Sequence, residues 1–204
     1  MPPPETDGPV LTREIRAGLP VGVLATPEPP VPVLPEPWRA RLLRPGSPDA
    51  ALLVGWMAEP HVEKFWEQNW PAERWDRHLN AQLSGAYSRP LLMLFEGVPF
   101  AYVEIYRAAR DVVGQVYPAG AHDLGVHLAI GELAATGRGL GRAMMRALVE
   151  ALFLADPACE RVVAEPDSRN ETARKMFTAA GFRYEGEVRL PHKRAALMVA
   201  RRRP

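Results

Sequence analysis

The sequence has little cysteine, little net charge and no long apolar run, and each absence excludes a class of protein. Its one cysteine, Cys159, cannot form an internal disulfide or a cysteine-based zinc cluster. A formal net charge of +1 provides no excess of positive charge to hold nucleic acid or an anionic membrane surface. No apolar run approaches the roughly 18 residues of a membrane span. We therefore expect a cytoplasmic protein with a small-molecule partner, and no nucleic acid or membrane partner.

Proline, by contrast, is abundant and unevenly placed. Eleven of the 22 prolines lie in residues 1–37. Proline fixes its own backbone and favours extended conformations in the residue before it. We therefore divide the chain into a proline-rich N-terminal arm, residues 1–37, and one domain, residues 38–204. The composition leaves two states of the arm open, an unstructured tail or a strap packed across the domain, and it says little about chemistry.

From residue 38 onward, short strand and helix patterns alternate. Ser47 followed by proline is typical of a helix start, and Gly97 marks a hairpin turn. The apolar spacing predicts strands at 38–44, on both sides of Gly97, and at 124–130, 161–165, 182–188 and 193–199. It predicts helices from Ser47, around residues 65–66, and at 71–83, 139–155 and 170–180. This order indicates an α/β or mixed sheet with helices packed on it.

A glycine-rich stretch joins the predicted strand ending at Ile130 to the next helix. Gly137, Gly139 and Gly141 let the backbone turn tightly and bring free N–H groups, at the positive end of a helix dipole, against an anion. This favours a diphosphate-binding loop. It is neither a Walker loop nor a strict dinucleotide fingerprint. On these residues alone, a plain structural turn stays open.

Two motifs about thirty residues apart point to a family. Residues 138–143 fit R-x-x-G-x-A, and residues 170–182 fit N-x-x-A-x-x-x-aromatic-x-x-x-G-F. With this pair the sequence resembles the GNAT superfamily of N-acetyltransferases. The resemblance implies the α/β (mixed α+β) GNAT fold, a central twisted mixed β-sheet flanked by helices on both faces. It also implies acyl-CoA, either acetyl-CoA or a longer or dicarboxylic acyl-CoA, as co-substrate.

The resemblance assigns the residues that bind coenzyme A. It places the diphosphate at the glycine-rich loop and the pantetheine arm beside Asn170 and Ala173. The N–H groups of the strand around Leu128 and Ile130 would polarise the thioester carbonyl. Where the family often has a tyrosine acid this chain has Phe177, so that role is vacant. The expected cofactor-binding residues are Leu128, Ile130, Arg138, Gly139, Gly141, Arg142, Ala143, Asn170 and Ala173.

A narrower resemblance covers nearly the whole domain. Six collinear segments are similar to the siderophore-building acyltransferases, which acylate lysine, hydroxylysine or hydroxycadaverine. The segments are 55–67, 75–83, 102–108, 122–131, 162–170 and 190–199. The resemblance implies transfer of an acyl group from a thioester to the side-chain nitrogen of a diamine or its hydroxylamine, which gives an amide or an iron-chelating hydroxamate. An acyl carrier protein as donor stays open.

The predicted strand 124–130 carries a candidate base. Its apolar residues alternate with other residues at a period of two, which puts His127 on the less apolar face, where it could face a cleft. A primary amine, with a pKa of about 10, must lose a proton before it attacks, and histidine, near about 6.5, can accept it. Glu165 closes the next strand, and α/β sheets place ligand sites at such carboxyl ends. We hypothesise that His127 is the general base and that Glu165 orients it or binds the incoming amine.

Other interpretations of these two residues stay open. The resemblance puts the acyltransferases' proposed histidine and acid at His127 and Glu165, although some relatives have Asp at the second position. A lone histidine in a strand is more often a hydrogen-bonded structural residue. Glu165 could instead cap the neighbouring helix start or pair with Arg169.

Tryptophans near the predicted helices are candidates for the substrate site. Trp66 and Trp70 flank a loop that could cover an acyl chain or the diamine stem, although such residues are more often core. The other histidines have no ligand-like spacing to an acid or cysteine, so we expect no metal site. Two further functions stay open: a GNAT enzyme for another amine, such as a protein N-terminus or an aminoglycoside, and a non-catalytic acyl-CoA-binding module, which Phe177 permits.

Overall fold

The computed structural model describes residues 11–203 and has a seven-stranded sheet at its centre. The strand order is β1-β2-β3-β4-β5-β7-β6; β4 and β5 run parallel, and the other neighbouring pairs run antiparallel. The strands are β1 (Trp38–Leu42), β2 (Ser88–Phe95), β3 (Val98–Arg107), β4 (Leu124–Ile130), β5 (Arg161–Ala164), β6 (Arg183–Leu190) and β7 (Lys193–Arg201). The predicted mixed sheet is confirmed.

Ser47, the predicted helix start, and Asn170 each cap a helix with a side-chain oxygen. Ser47 Oγ accepts a hydrogen bond from the N–H of Ala50, and Asn170 Oδ1 accepts one from the N–H of Ala173 at 3.0 Å. The helices are α1 (Val21–Leu24), α2 (Pro48–Met57), α3 (Pro60–Trp66), α4 (Ala72–Ser84), α5 (Leu140–Ala155) and α6 (Glu171–Ala179). Among the described residues, none of these helices combines the length and apolar character that crossing a bilayer requires.

Side-chain alternation along the strands gives the sheet two packed faces. On one face Val103 and Val126 join a core with Leu148 and other residues of α5 and α6. On the opposite face Tyr102 and Ala129 pack with residues of α2 and α4. Helices therefore cover both faces, as expected for the GNAT fold.

The two central parallel strands separate soon after they meet. β4 pairs with β5 through Leu124↔Val162 and Gly125↔Val163, and in the described part of the chain their ladder ends there. The rest of β4 stays paired with β3, and Gly131 N–H donates to Phe100 O just beyond it. Because hydrogen-bonded and non-bonded pairs alternate in an antiparallel ladder, the backbone groups of residues 126, 128 and 130 point away from β3. They face the gap that β5 leaves.

Residues 11–37 pack across the domain, and we call this segment the strap. Leu11 and Thr26 are buried. Arg107 donates a hydrogen bond to Pro27 O at 2.8 Å, and Arg110 donates one to Leu24 O at 2.7 Å. Of the two states left open for the arm, these contacts match the packed strap. Residues 1–10 of the arm lie outside the described residues, and the domain boundary at residue 37 stays a prediction.

Candidate active site

A cavity of about 990 Å³, which we call the cleft, opens where β4 leaves β5. Its walls come from the strap, α3, α4, β3, β4, the end of β5, the start of α6 and the β6–β7 turn. The predicted site residues that line it are His127, Glu165, Leu128, Asn170, Ala173, Trp66 and Trp70. The structure therefore brings the two candidate catalytic residues, both tryptophans and both pantetheine residues to one place.

His127 lies between two carboxylates at the floor of the cleft. Its Nδ1 is 2.8 Å from Glu104 Oε2, and its Nε2 is 2.7 Å from Glu165 Oε1. Burial and the charge of Arg13 lower the pKa of His127, but the charge of Glu165 and the hydrogen bonds that the ring donates to both carboxylates outweigh them. The pKa is therefore raised above its ordinary 6.5. Both ring nitrogens face acceptors, so the protonated ring would donate a hydrogen bond on each side.

Glu165 is a buried acceptor for several donors. Arg13 Nη2 lies 2.5 Å from its Oε1, and the Tyr106 hydroxyl donates to its Oε2 at 2.6 Å. Burial raises the pKa of Glu165, but Arg13 and His127 hold it well below its usual range. Lys193 Nζ lies farther away, at 3.9 Å.

Neither alternative for Glu165 describes these contacts. Arg169 pairs with Asp167 at 2.8 Å instead of with Glu165. The N-cap of α6 is Asn170, not Glu165. The contact between Glu165 and His127 agrees with an orienting role, which stays a proposal.

Glu104 is a site residue that the sequence analysis missed. It lies on β3 directly opposite His127 on β4, so the two form a cross-strand pair. Its Oε1 accepts hydrogen bonds from Tyr102 Oη at 2.8 Å and Gln82 Nε2 at 3.1 Å, and His78 Nε2 lies 3.3 Å away. Burial raises the pKa of Glu104, but hydrogen bonds from the two histidines hold it well below its usual range. Glu104 is the one acid of β3, flanked by apolar and aromatic residues, and that was the available signal.

Tyr106 was missed as well. Its ring centroid lies 4.5 Å from that of His127, and Gly125 is its cross-strand neighbour. A Cβ at Gly125 would lie 2.0 Å from Tyr106 Cζ, so only glycine admits the ring. A glycine inside a strand often marks such a close approach, and that was the available signal.

The glycine-rich loop has the backbone that anion binding requires. Gly137 and Gly139 have φ values of 70° and 79°, which favour glycine. Gly139 is the N-cap of α5 and supplies no side-chain cap, so it leaves first-turn N–H groups of the helix for another acceptor. A Cβ at Gly141 would lie 2.7 Å from Ile130 Cδ1, so glycine also permits close packing here. These residues fit a diphosphate.

The remaining expected cofactor residues lie on the glycine-rich loop, on the first turns of α5 and on β4. Arg138 is exposed on the loop. Arg142 and Ala143 line a shallow depression on the first turns of α5. The carbonyls of Leu128 and Ile130 accept hydrogen bonds from the Trp66 indole at 3.2 Å and the His61 ring at 2.9 Å. The N–H groups of these two strand residues therefore point into the same gap, beside carbonyls that already have partners.

The two predicted tryptophans pack against neighbouring side chains and also line the cleft. The Trp66 ring lies edge-on to His127, with centroids 6.2 Å apart. Trp70 packs against Trp75, with centroids 5.0 Å apart, and the Arg74 guanidinium lies 4.1 Å from its ring. Both are partly buried and line the cleft.

Two residues bear on alternative chemistry. Burial raises the pKa of the Cys159 thiol to about 12, and its Sγ donates to Arg161 O, so it is no thiolate nucleophile. Phe177 packs edge-on against Phe182 in the core and offers no hydroxyl. Within residues 11–203, no group of three or more His, Cys, Asp or Glu side chains is arranged to hold a metal ion.

Comparison with known proteins identifies relatives of most of the chain. Residues 46–190 match the family described as acetyltransferase (GNAT) domain. The lysine N-acyltransferase MbtK of Mycolicibacterium paratuberculosis is 43% identical over 188 residues, which cover 92% of this chain and 84% of that protein. The N(6)-hydroxylysine O-acetyltransferase of Escherichia coli is 34% identical over 154 residues, which cover 76% of this chain and 49% of that protein.

A solved structure agrees with this assignment. The aminoglycoside acetyltransferase AAC(6')-Ib, in complex with coenzyme A and kanamycin, aligns with a TM-score of 0.73 at 26% identity, covering 81% of this chain and 95% of that chain. Fold, glycine-rich loop and family match all agree. This chain belongs to the GNAT family and is an acyltransferase.

Proposed function

We propose that this protein transfers an acyl group from acyl-CoA to the side-chain nitrogen of a lysine-like acceptor, in its amine or N-hydroxy form, in hydroxamate siderophore biosynthesis. The observation that carries the proposal is His127, held between Glu104 and Glu165 on the cleft floor beside the free edge of β4. Relatives named for lysine and hydroxylysine acylation support the acceptor class.

The geometry at His127 supports a role as general base. A neutral imidazole has one N–H donor and one nitrogen with a lone pair. Between two carboxylates, the nitrogen without a proton therefore faces a carboxylate oxygen, and the lone pairs of these two atoms repel each other. A hydrogen-bond donor inserted at that contact satisfies both sides. Arg13 already donates to the Glu165 oxygen that faces Nε2, so the neutral ring keeps its proton on Nδ1, toward Glu104, and Nε2 is the basic nitrogen. The N–H of the attacking nitrogen is the donor that would insert there.

The same site favours the N-hydroxy acceptor over the amine. At pH 7 only about one lysine side chain in 2,500 is neutral, because its ordinary pKa is about 10.4. Imidazole is ordinarily a much weaker base than a lysine amine, so it is poorly suited to deprotonate such an ammonium. The electron-withdrawing oxygen makes a hydroxylamine far less basic, and it reaches the site neutral. His127 then accepts a proton only as the new C–N bond forms.

The donor would lie along the glycine-rich loop and the edge of β4. Arg138, Gly139, Gly141, Arg142 and Ala143 would hold the diphosphate. Bound acyl-CoA supplies the thioester that the acceptor attacks.

The pantetheine arm would lie between the loop and His127. Asn170 and Ala173 would flank it, and the N–H groups of Leu128 and Ile130 would receive its carbonyl groups. Attack is direct because Cys159 is buried and protonated. With Phe177 in place of a tyrosine, the departing thiolate takes its proton from solvent.

The charge lining the cleft does not favour an aminoglycoside, which is a polycation. The cationic side chains on the cleft walls equal the acidic ones in number. They are Arg13, Arg74, Arg169, Lys193 and Arg194, against Glu67, Glu104, Glu165, Asp167 and Glu187. Opposite charges so balanced suit an amino acid such as lysine better than a polycation such as kanamycin.

A matched panel of acceptors tests the proposal. Lysine, N6-hydroxylysine, cadaverine, N-hydroxycadaverine and kanamycin would each be offered with short, long and dicarboxylic acyl-CoA, and with an acyl carrier protein thioester, while thiol release and hydroxamate are measured. We expect hydroxamate from the N-hydroxy acceptors, with kcat/KM at pH 7 at least about 100-fold above that of the matching amines. Preference for kanamycin, or coenzyme A binding without turnover of any acceptor, would contradict it.

A further inference from the structure

The strap carries one charged side chain into the cleft. We propose that Arg13 is a positioning residue of this acyltransferase, whose guanidinium bridges Asp111 and Glu165 and so fixes the carboxylate that faces His127. The inference rests on the proposed function, and it makes the N-terminal strap part of the active site.

The contacts of the Arg13 guanidinium with Asp111 and Glu165 are short and largely buried. Arg13 donates to both carboxylate oxygens of Asp111, at 3.1 and 2.9 Å, and its Nη2 also lies 2.5 Å from Glu165 Oε1. The side chains of Asp111 and Glu165 have no exposed surface, and that of Arg13 is 19% exposed. A guanidinium presents a rigid fork of donors, so the bidentate contact with Asp111 aims the remaining N–H at Glu165.

Asp111 is itself firmly held, which makes it a suitable anchor. It accepts hydrogen bonds from the N–H of Val113 at 2.9 Å and from the hydroxyl of Tyr87. Asp111 thus contacts Arg13, Arg13 contacts Glu165, and Glu165 contacts His127. Each contact in the series is a direct hydrogen bond between side chains.

The strap is held in place without the Arg13 side chain. The backbone N–H of Ile15 donates to Arg110 O at 2.8 Å, and that of Val112 donates to Arg13 O at 3.1 Å. Arg110 and Arg107 bind strap carbonyls farther along, and Leu11 is buried. The guanidinium is therefore not the fastening of the strap, and its placement against Glu165 calls for another role.

That role is to supply a positive charge close to the catalytic pair. Arg13 Nη2 and His127 Nε2 contact the same oxygen of Glu165, so they lie within about 5 Å of each other. Charged and titratable groups surround His127 and its carboxylates on several elements. They are Arg13 of the strap, His78 of α4, Glu104 and Tyr106 of β3, Asp111, Glu165 after β5, and His192 and Lys193 at the β6–β7 turn.

Removal of the Arg13 charge shifts this balance in one direction. The positive charge disfavours protonation of His127 and favours ionised Glu165. Without it the pKa values of both groups rise. The phenol of Tyr106 stays protonated in either case, since burial raises its pKa well above the ordinary value. The acid limb of kcat/KM, which reports protonation of the free enzyme, therefore moves to higher pH.

Variants of the full-length chain separate charge from structure. Arg13→Met keeps much of the stem without the charge, Arg13→Lys restores the charge without the fork, and Arg16→Met removes an exposed strap cation that pairs only with Glu14 among the described residues. With N6-hydroxylysine as acceptor, we expect Arg13→Met to move the acid limb up by about one pH unit. At a pH below that limb, kcat/KM of Arg13→Met should therefore be about tenfold lower than that of the parent at the same pH. Arg13→Lys should recover most of the shift, and Arg16→Met should match the parent.

Two outcomes would overturn the inference. The first is an Arg13→Met variant that melts at a lower temperature but keeps the parent pH profile, which would make Arg13 a structural fastening. The second is an Arg13→Lys variant with the full shift of Arg13→Met. NMR titration of the His127 ring in the parent and in Arg13→Met gives the same comparison without turnover. It therefore still decides the inference if no hydroxylamine is acylated, in which case the proposed function fails separately.

Discussion

Replacing Glu104 with glutamine tests the assignment of His127 through its orientation. A glutamine oxygen in place of Glu104 Oε1 keeps the hydrogen bonds from Tyr102 and Gln82. The amide NH2 then faces Nδ1 of His127, 2.8 Å away in the parent. To accept from it, Nδ1 must give up its proton, so the neutral ring carries its proton on Nε2, toward Glu165. The variant thus holds His127 in the tautomer that cannot accept a proton from the substrate.

The cost to stability should be small and the cost to activity large. A charge-assisted hydrogen bond, worth about 1.5–3 kcal/mol, is replaced by a neutral one worth about 1 kcal/mol, so we expect the free energy of unfolding to fall by about 0.5–2 kcal/mol. A catalytic histidine held in the wrong tautomer can lose about 10⁴ in kcat. By contrast, Glu104→Ala leaves several buried donors without an acceptor, at about 1–3 kcal/mol each, and should be strongly destabilised.

The assay compares kcat at saturating N6-hydroxylysine with thermal unfolding of the same samples. We expect Glu104→Gln to fold, to bind coenzyme A and to lose at least about 100-fold in kcat. Glu185→Gln is the matched control, because Glu185 pairs with Arg201 at the surface of β6. A Glu104→Gln enzyme within threefold of the parent would refute the reasoning.

Three other predictions follow from local geometry and charge. Gly125→Ala places a Cβ 2.0 Å from Tyr106 Cζ, so we expect lower stability, by about 1–3 kcal/mol or more, and loss of turnover; an unchanged melting temperature would contradict this. Gly139→Ala puts a side chain at φ 79°, at a cost of about 1–2 kcal/mol, and should weaken coenzyme A binding in calorimetry. The lowered pKa values of Glu104 and Glu165 stabilise the fold above pH 4.5, the ordinary value, and this stability is lost as pH falls toward the native pKa values. Urea unfolding below pH 4.5 should therefore be less pH-dependent in Glu165→Gln than in the parent.

Local sequence patterns predicted the elements that hold the site. The alternation over residues 124–130 matches β4 residue for residue and places His127 on the face opposite the α5 core. The helix start at Ser47 and the glycines before α5 were found in the same way. These features depend on contacts within a few residues, so the pattern alone determines them.

The rest of the site depends on contacts between distant parts of the chain. Arg13 and Glu165 are 152 residues apart, and nothing in the composition of a proline-rich segment indicates that one of its arginines reaches a strand end. Glu104 stands out as the one acid of β3, but its pairing with His127 requires the β3–β4 register. Pattern and resemblance therefore singled out His127 and Glu165 as candidates for these roles, while the structure shows which residues contact them.

The most direct test of the account is kcat of the His127→Ala variant at saturating N6-hydroxylysine and acyl-CoA. Positioned general bases contribute about 10²–10⁴ to rate, so we expect at least a 100-fold fall in kcat with coenzyme A binding retained. Unchanged turnover under these conditions would contradict the assignment of His127 as the base.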